Sequence, residues 1–62
     1  MNADVEYFDK YVAENYDKHL HTSIVLVARM RPRWGDARVV KMARSIMDAT
    51  IVAVRADVEA GR

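Results

Sequence analysis

Side chains that could hold a metal ion lie close together in the first half of the chain. Asp17 and His21 are four residues apart, so a helix would place a carboxylate and an imidazole on one face. His19 would lie on another side, because two residues turn a helix by about 200°. A symmetric dimer would combine two Asp17–His21 pairs into one site. Such pairs are usually ordinary surface neighbours, so we predict no metal site and keep metal binding as the second alternative function.

The remaining polar side chains form no recognisable catalytic set. Ser23 and Ser45 have no base and acid at a defined spacing, and the chain has no cysteine. A glycine-rich phosphate loop and a His-Glu metal motif are also missing from the sequence. A chain of 62 residues offers few clefts of about 300 Å³ or more, the usual size of a substrate pocket. We therefore predict a protein that is not an enzyme and uses no cofactor.

A cluster of arginines surrounds the single tryptophan in the middle of the chain: Arg29, Arg31, Arg33 and Arg38 around Trp34. Guanidinium groups bind phosphates and an indole can stack on a base, so this segment could bind RNA or DNA. Arginines also stabilise a helix end against its dipole, and Trp34 could instead cover the end of a helical bundle. The overall charge of +1 is low for a nucleic-acid-binding domain. Nucleic-acid binding is therefore the first alternative function.

Two tyrosines, Tyr7 and Tyr11, lie one helical turn apart near the start of the chain. They could pack in a dimer with their hydroxyls in water. They could also anchor a partner protein, because tyrosine, tryptophan and arginine are enriched among binding hot spots. The predicted partner-binding residues are Tyr7, Tyr11, Arg29, Arg31, Arg33, Trp34 and Arg38.

Two helices joined at a single turn must position these side chains. Pro32 disfavours helix at the preceding residue, and Gly35 permits backbone conformations that other residues resist. Before this turn, apolar residues recur at steps of three and four, the period of one helix face: Val5, Phe8, Val12, Tyr16, Leu20, Ile24, Val27 and Met30. We predict a single domain over residues 1–62, with helices at 4–30 and 37–60 and a turn at 31–36. Asp4 and Asp36 are the predicted N-caps.

The second half of the chain has two apolar stripes at helical spacing. The first has larger side chains and would face the first helix: Val40, Ala43, Met47, Ile51, Val54 and Val58. The second would let another helix approach closely and is the predicted dimer interface: Ala49, Ala53, Ala56 and Ala60. Short strands at residues 24–27 and 50–54, where β-branched residues cluster, are a competing interpretation. Two isolated strands are only marginally stable, which favours the helices.

The small size of the chain favours self-association. Of its 62 residues, 52% are apolar, and it has no cysteine for a disulfide. A chain of this length buries only roughly 60% of the surface that its unfolded form exposes, and a lone core of this size is weak. We therefore predict an all-α two-helix hairpin that pairs into a dimeric four-helix bundle with twofold symmetry.

The formal net charge of +1 conceals a separation of charge along the chain. Residues 1–17 balance at −4, and residues 18–45 balance at +6. Antiparallel copies of the chain would place these opposite charges side by side. A charged patch on another protein would suit them equally well, and the sequence leaves both alternatives open.

The N-terminal residues lack the basic start and apolar run of a secretory signal. The longest uninterrupted apolar run, residues 24–28, is far shorter than the ~20 residues of a membrane span. We therefore expect a cytoplasmic protein with no membrane partner. By analogy with other short chains, including those that phages and plasmids carry, we expect a noncatalytic homodimer. It would bind a larger protein as a regulator, adaptor or inhibitor.

Overall fold

The chain folds as a helical hairpin. The computed structural model describes residues 2–61, and within this range it contains two α-helices and no strand. Helix α1 comprises Ala3–Met30 and helix α2 comprises Asp36–Glu59. The prediction of an all-α hairpin is confirmed. The strand alternative is wrong, because residues 24–27 and 50–54 both lie inside helices.

The N-caps of both helices differ from the prediction. Asn2, rather than Asp4, caps α1, and its side-chain oxygen accepts hydrogen bonds from the backbone N–H groups of Asp4 at 2.9 Å and Val5 at 3.4 Å. Gly35, rather than Asp36, occupies the N-cap of α2 and forms no side-chain cap bond. The physical reason is that a cap needs extended backbone, which Asn2 (ψ 111°) and Gly35 (ψ 161°) have. Asp4 and Asp36 lie instead in the first turns, where negative charge favours the helix dipole.

The turn between the helices is short, and the chain reverses its direction within five residues. Pro32 ends α1 by disfavouring helical backbone at Arg31. The N–H of Arg31 donates to the carbonyl of Val27 at 2.9 Å, and the N–H of Trp34 donates to the carbonyl of Arg31 at 3.1 Å. The tight turn holds α1 and α2 side by side.

The core is a narrow seam between the two helices. Its buried residues are Leu20, Val27, Val39 and Ala43, and Tyr16, Ile24, Trp34 and Met47 pack against them. Ala43 has no exposed surface, which indicates that the helices approach closely at this position. The body measures 45 × 19 × 14 Å, so it is only one helix thick in its smallest dimension.

Three residues depart from the predicted stripes. Met30 is 70% exposed and Val54 is 42% exposed, although both belong to stripes expected in the core. Val39, which was not predicted, is buried. The cause is that a two-helix layer covers only the side chains directly on its seam, and Met30 and Val54 lie at its edge. Within the described residues, neither helix combines the length and the apolar character that crossing a bilayer requires.

Candidate interaction surface

An apolar groove follows the seam on one side of the hairpin. Its central part has a volume of about 280 Å³. The residues that line it are Phe8, Tyr11, Val12, Tyr16, His19, Thr22, Ser23, Met47, Thr50, Ile51 and Val54. Towards the open end of the hairpin it adjoins a wider depression of about 500 Å³, which shares Phe8 and Tyr11 and adds Tyr7 and Val58. Towards the turn, a depression of about 150 Å³ lies between Met30, Met42 and Ile46.

The exposed large apolar side chains concentrate along this groove. Tyr7, which lines the depression at the open end, is 73% exposed. Leu26 is also exposed, and it lies on the same side of α1 as Met30, which follows it by four residues. We call this surface the groove face, and its exposed apolar residues are Tyr7, Tyr11, Leu26, Met30, Met42, Ile46 and Val54. Val52 is also exposed, but it follows Ile46 by six residues and therefore lies about 240° around α2. It is a natural control for the groove face.

The opposite side of the hairpin carries polar contacts between the helices. Arg55 of α2 binds Asp9 of α1 through two of its nitrogens and also binds Glu59 one turn further along. The Tyr16 hydroxyl donates a hydrogen bond of 3.0 Å to Oδ1 of Asp48. Asp48, Arg55 and Glu59 share one face of α2, because they are spaced at seven and four residues. The hairpin therefore has a polar face that its own side chains pair and an apolar face that remains open.

These polar contacts shift the pKa values of three groups. The hydrogen bond from Arg55, together with its charge, lowers the pKa of the Asp9 carboxyl. The same hydrogen bond and the charge of Asp9 raise the pKa of the Arg55 guanidinium. The hydrogen bond to Asp48 raises the pKa of the Tyr16 hydroxyl, since ionised Tyr16 would lose it and face a like charge. At neutral pH the ion pair is therefore charged and Tyr16 is protonated.

Tyr11 and His19 are in contact along the groove. The Tyr11 hydroxyl and Nε2 of His19 are 2.9 Å apart, and the two ring centroids are 5.8 Å apart. The sequence signal of this pair is the spacing of eight residues, which is two helical turns plus about 80° and keeps both side chains within the width of one helix face. Asp17 and His21 are both exposed. Across residues 2–61, no three or more His, Cys, Asp or Glu side chains are grouped so that they could hold a metal ion.

Trp34 covers the turn end of the core. It is half-buried against the core residues, and the guanidinium of Arg38 lies 4.0 Å from the centre of its ring. Arg31 lies 5.6 Å from the same ring. Both contacts fit cation–π interactions, so the indole already has intramolecular partners. Arg29 and Arg33 are exposed beside this cluster.

The alanine row of α2 borders the groove face. Ala49, Ala53, Ala56 and Ala60 are all exposed. They follow Met42 by seven, eleven, fourteen and eighteen residues, which places them along the same line of the helix. Met42 and Ile46 are the large side chains at the turn end of this line. Their exposure was not predicted, because the sequence does not show which side of α2 meets α1.

The predicted partner-binding residues do not form one patch. Tyr7 and Tyr11 lie on the groove face near the open end, whereas the arginines and Trp34 lie at the turn, at the other end of a body 45 Å long. Comparisons with protein-family models, with curated proteins and with solved structures find no match.

Proposed function

We propose that this chain is a noncatalytic interaction protein that forms a homodimer through its groove face and binds a larger protein as a regulator, adaptor or inhibitor. The observation that carries the dimer is the area of exposed surface. The hairpin exposes 5,043 Å². A folded monomer of 7.1 kDa is expected to expose about 4,100 Å². The excess of about 900 Å² is close to the ~800 Å² that each partner buries in a standard interface.

The groove face holds seven of the eight large apolar side chains that the described residues expose. A second hairpin laid on it would add two helices and complete a four-helix bundle. Met42, Ile46 and Leu26 would then become core residues, and the alanine row beside them would let helices of the two copies approach closely. Tyr7 and Tyr11 are assigned to this dimer interface rather than to the larger partner. Asp17 and His21 share a face of α1 that does not include the groove residue His19, so the dimer would leave them outside the bundle.

The dimer is tested by sedimentation equilibrium of two matched variants. Ile46 is 47% exposed and Val52 is 69% exposed, so aspartate at either position is compatible with the hairpin. We expect a mass of twice 7.1 kDa for the wild type and for Val52→Asp at micromolar concentration. Ile46→Asp is expected to sediment as a monomer, since dimerisation would bury its charge. A monomeric wild type, or equal dimerisation of both variants, contradicts the proposal. Circular dichroism checks that each variant remains helical.

The larger partner is assigned to the basic turn. Arg31 and Arg33 are exposed there, and within the described residues neither forms an ion pair with a carboxylate. Guanidinium groups form paired hydrogen bonds with carboxylates, so an acidic protein surface is the expected binding site. This role rests on the exposure and the charge of Arg31 and Arg33.

The partner is tested by quantitative capture with the tagged protein from its source lysate. The double variant Arg31→Glu/Arg33→Glu reverses the charge at these two positions of the turn. Lys18→Glu is the control, because it reverses the charge of an exposed side chain elsewhere, on α1. We expect one protein to be enriched by the wild type and by Lys18→Glu, and to be lost with the double variant. Enrichment of no protein, or equal enrichment by all three, contradicts the assignment. A capture that nuclease treatment removes would instead favour nucleic acid as the ligand.

A further inference from the structure

The fold turns the charge separation of the sequence into a separation between the two ends of the hairpin. At the open end, residues 2–14 and 53–61 contain six acidic residues and two basic ones: Asp4, Glu6, Asp9, Glu14, Asp57 and Glu59, with Lys10 and Arg55. At the turn end, residues 27–44 contain six basic residues and one acidic one: Arg29, Arg31, Arg33, Arg38, Lys41 and Arg44, with Asp36. The open end is therefore acidic and the turn end basic, with 45 Å as the longest dimension of the body.

We propose that the second copy lies antiparallel on the groove face, with the turn of each hairpin beside the open end of the other. This inference rests on the proposed dimer and specifies its geometry. Two symmetric arrangements would cover the groove: one with both turns at the same end, and one with the turns at opposite ends. The first brings two basic ends together and two acidic ends together. The second places a basic end against an acidic end twice, which is favourable within the Debye length of about 8 Å at physiological salt.

The antiparallel arrangement also predicts a specific pair of charged residues. A twofold axis that crosses the groove face level with the middle of α1, which comprises Ala3–Met30, brings residue 29 level with residue 4 of the second copy. Arg29 is exposed on α1 three residues after Leu26 of the groove face, which makes the two side chains neighbours on the helix surface, and Asp4 lines the depression at the open end. Arg29 of each copy therefore faces Asp4 of the other. With both turns at one end, these two residues would be separated by most of the length of the helix.

The orientation is tested by electron–electron distances between spin labels. The chain has no cysteine, so Arg33→Cys in the turn and Glu6→Cys near the open end each provide one label per copy. Both residues are exposed and neither lines the groove face. With the turns at opposite ends, the two labels on Arg33→Cys are separated by about the 45 Å length of the hairpin. With the turns at one end, helices 8–10 Å apart bring the labels within about 20 Å.

A charge exchange tests the predicted pair independently. Arg29→Asp and Asp4→Arg should each raise the Kd of the dimer roughly three- to tenfold, and the double variant should return it to within about twofold of the wild type. Increasing salt should weaken the wild-type dimer, because opposite charges are screened.

The outcomes separate this inference from the proposed dimer. A monomer mass for the unlabelled wild type overturns the dimer itself. A dimer mass with short label distances at both positions leaves the dimer intact and overturns the antiparallel arrangement. A dimer that salt strengthens, or whose Kd the charge exchange does not restore, also contradicts the arrangement. Long distances at both positions, together with the restored Kd, support it.

Discussion

Arg55 of α2 binds Asp9 of α1 through two hydrogen bonds, from Nε to Oδ1 at 2.9 Å and from Nη2 to Oδ2 at 3.1 Å. The two residues are 46 positions apart in the sequence, so this contact forms only when the chain has reversed. Paired bonds of this kind restrict how the helices slide past each other, because both oxygens must be met at once. Among residues 2–61, no such cross-helix pair of charges lies on the groove face, whose exposed side chains are largely apolar. The two faces of the hairpin therefore differ in character, because charged contacts join the helices on one face and exposed apolar side chains occupy the other.

Replacing Ala43 with leucine should destabilise the hairpin, because Ala43 has no exposed surface and a larger side chain would push the helices apart. Overpacking of this kind costs about 1–3 kcal/mol in the free energy of unfolding. Ala37→Leu is the control, since Ala37 is exposed near the start of α2. Both variants are compared with the wild type by chemical denaturation at one protein concentration, because dimerisation contributes to apparent stability. Equal stability of the two variants would contradict the close approach at Ala43.

Asn2→Ala should lower the stability of α1 by about 1 kcal/mol, because it removes the side-chain acceptor of the first turn. Asn2→Asp should retain most of that stability, since its carboxylate can accept the same hydrogen bonds. Asp4→Ala should lower the stability of α1 by less than Asn2→Ala does. High salt should abolish this loss, because Asp4 stabilises the helix dipole through its charge alone. Thermal melts followed by circular dichroism, at low and high salt, measure these differences. A salt-independent loss in Asp4→Ala would show that Asp4 takes part in capping.

The helical hairpin could be predicted because its determinants are local. Steps of three and four in the apolar pattern predict both helices, and the breakers around Pro32 and Gly35 are found together at one place. The prediction of the two N-cap residues was wrong because capping depends on the backbone dihedrals of single residues. Asn2 and Asp4 are both good caps by residue type, and only the structure shows which one has extended backbone.

The groove face was harder to predict because it depends on which sides of two helices meet. Val54 and Val58 both continue the apolar stripe, yet Val54 is exposed and Val58 is half-buried. The sequence pattern alone does not distinguish the centre of a seam from its edge. Tyr11 and His19 both lie in the helix predicted over residues 4–30, but only the structure shows that their side chains meet. The spacing of the alanines predicts that they form a row on α2. The exposure of Met42 and Ile46 beside them follows only from the way in which the two helices pack.

Arg38 and Trp34 should be energetically coupled. Removing the cation–π contact in Arg38→Ala should lower the free energy of unfolding by about 0.5–1 kcal/mol, and in a Trp34→Ala background the same change should have almost no effect. Arg33→Ala is the control, because the cation–π contacts of Trp34 within the described residues are made by Arg31 and Arg38. Chemical denaturation of the four proteins in this double-mutant cycle measures the coupling energy. A coupling near zero would show that Arg38 does not hold the indole, and it would return Trp34 to the group of side chains available for a ligand.

Alkaline pH should weaken the contact between Tyr16 and Asp48. The folded-state pKa of Tyr16 is raised above its unfolded value of about 10. The stability that Tyr16 contributes is therefore fully present below pH 10 and is lost as the pH rises through the folded-state pKa. Tyr16→Phe lacks this ionisation, so the melting temperature of the wild type should fall towards that of the variant as the pH rises above about 10. If the difference in melting temperature between the wild type and Tyr16→Phe stays constant across this range, a protonated Tyr16 in the contact is contradicted.

Acid should weaken the contact between Asp9 and Arg55, because protonation removes the charge that Arg55 binds. The hydrogen bond from Arg55 lowers the folded-state pKa of Asp9 below its usual value of 3.8. Its contribution to stability is therefore present above about pH 4 and is lost as the pH falls through the folded-state pKa. Asp9→Asn removes the charge at every pH, so the wild type should be the more stable protein at neutral pH, and the two should converge in acid.

The control for this prediction is Glu6→Gln, which removes a carboxylate of the same end that forms no ion pair with another described residue. Denaturation midpoints of the wild type and both variants, measured from neutral pH to below pH 3, give the comparison. The difference between the wild type and Asp9→Asn should shrink over this range, while the difference between the wild type and Glu6→Gln should change less. If the Asp9→Asn difference is as large in acid as at neutral pH, the contact does not depend on the ionised carboxylate. The Arg55–Asp9 pair would then add packing to the polar face of the hairpin, with no contribution from the charge of Asp9.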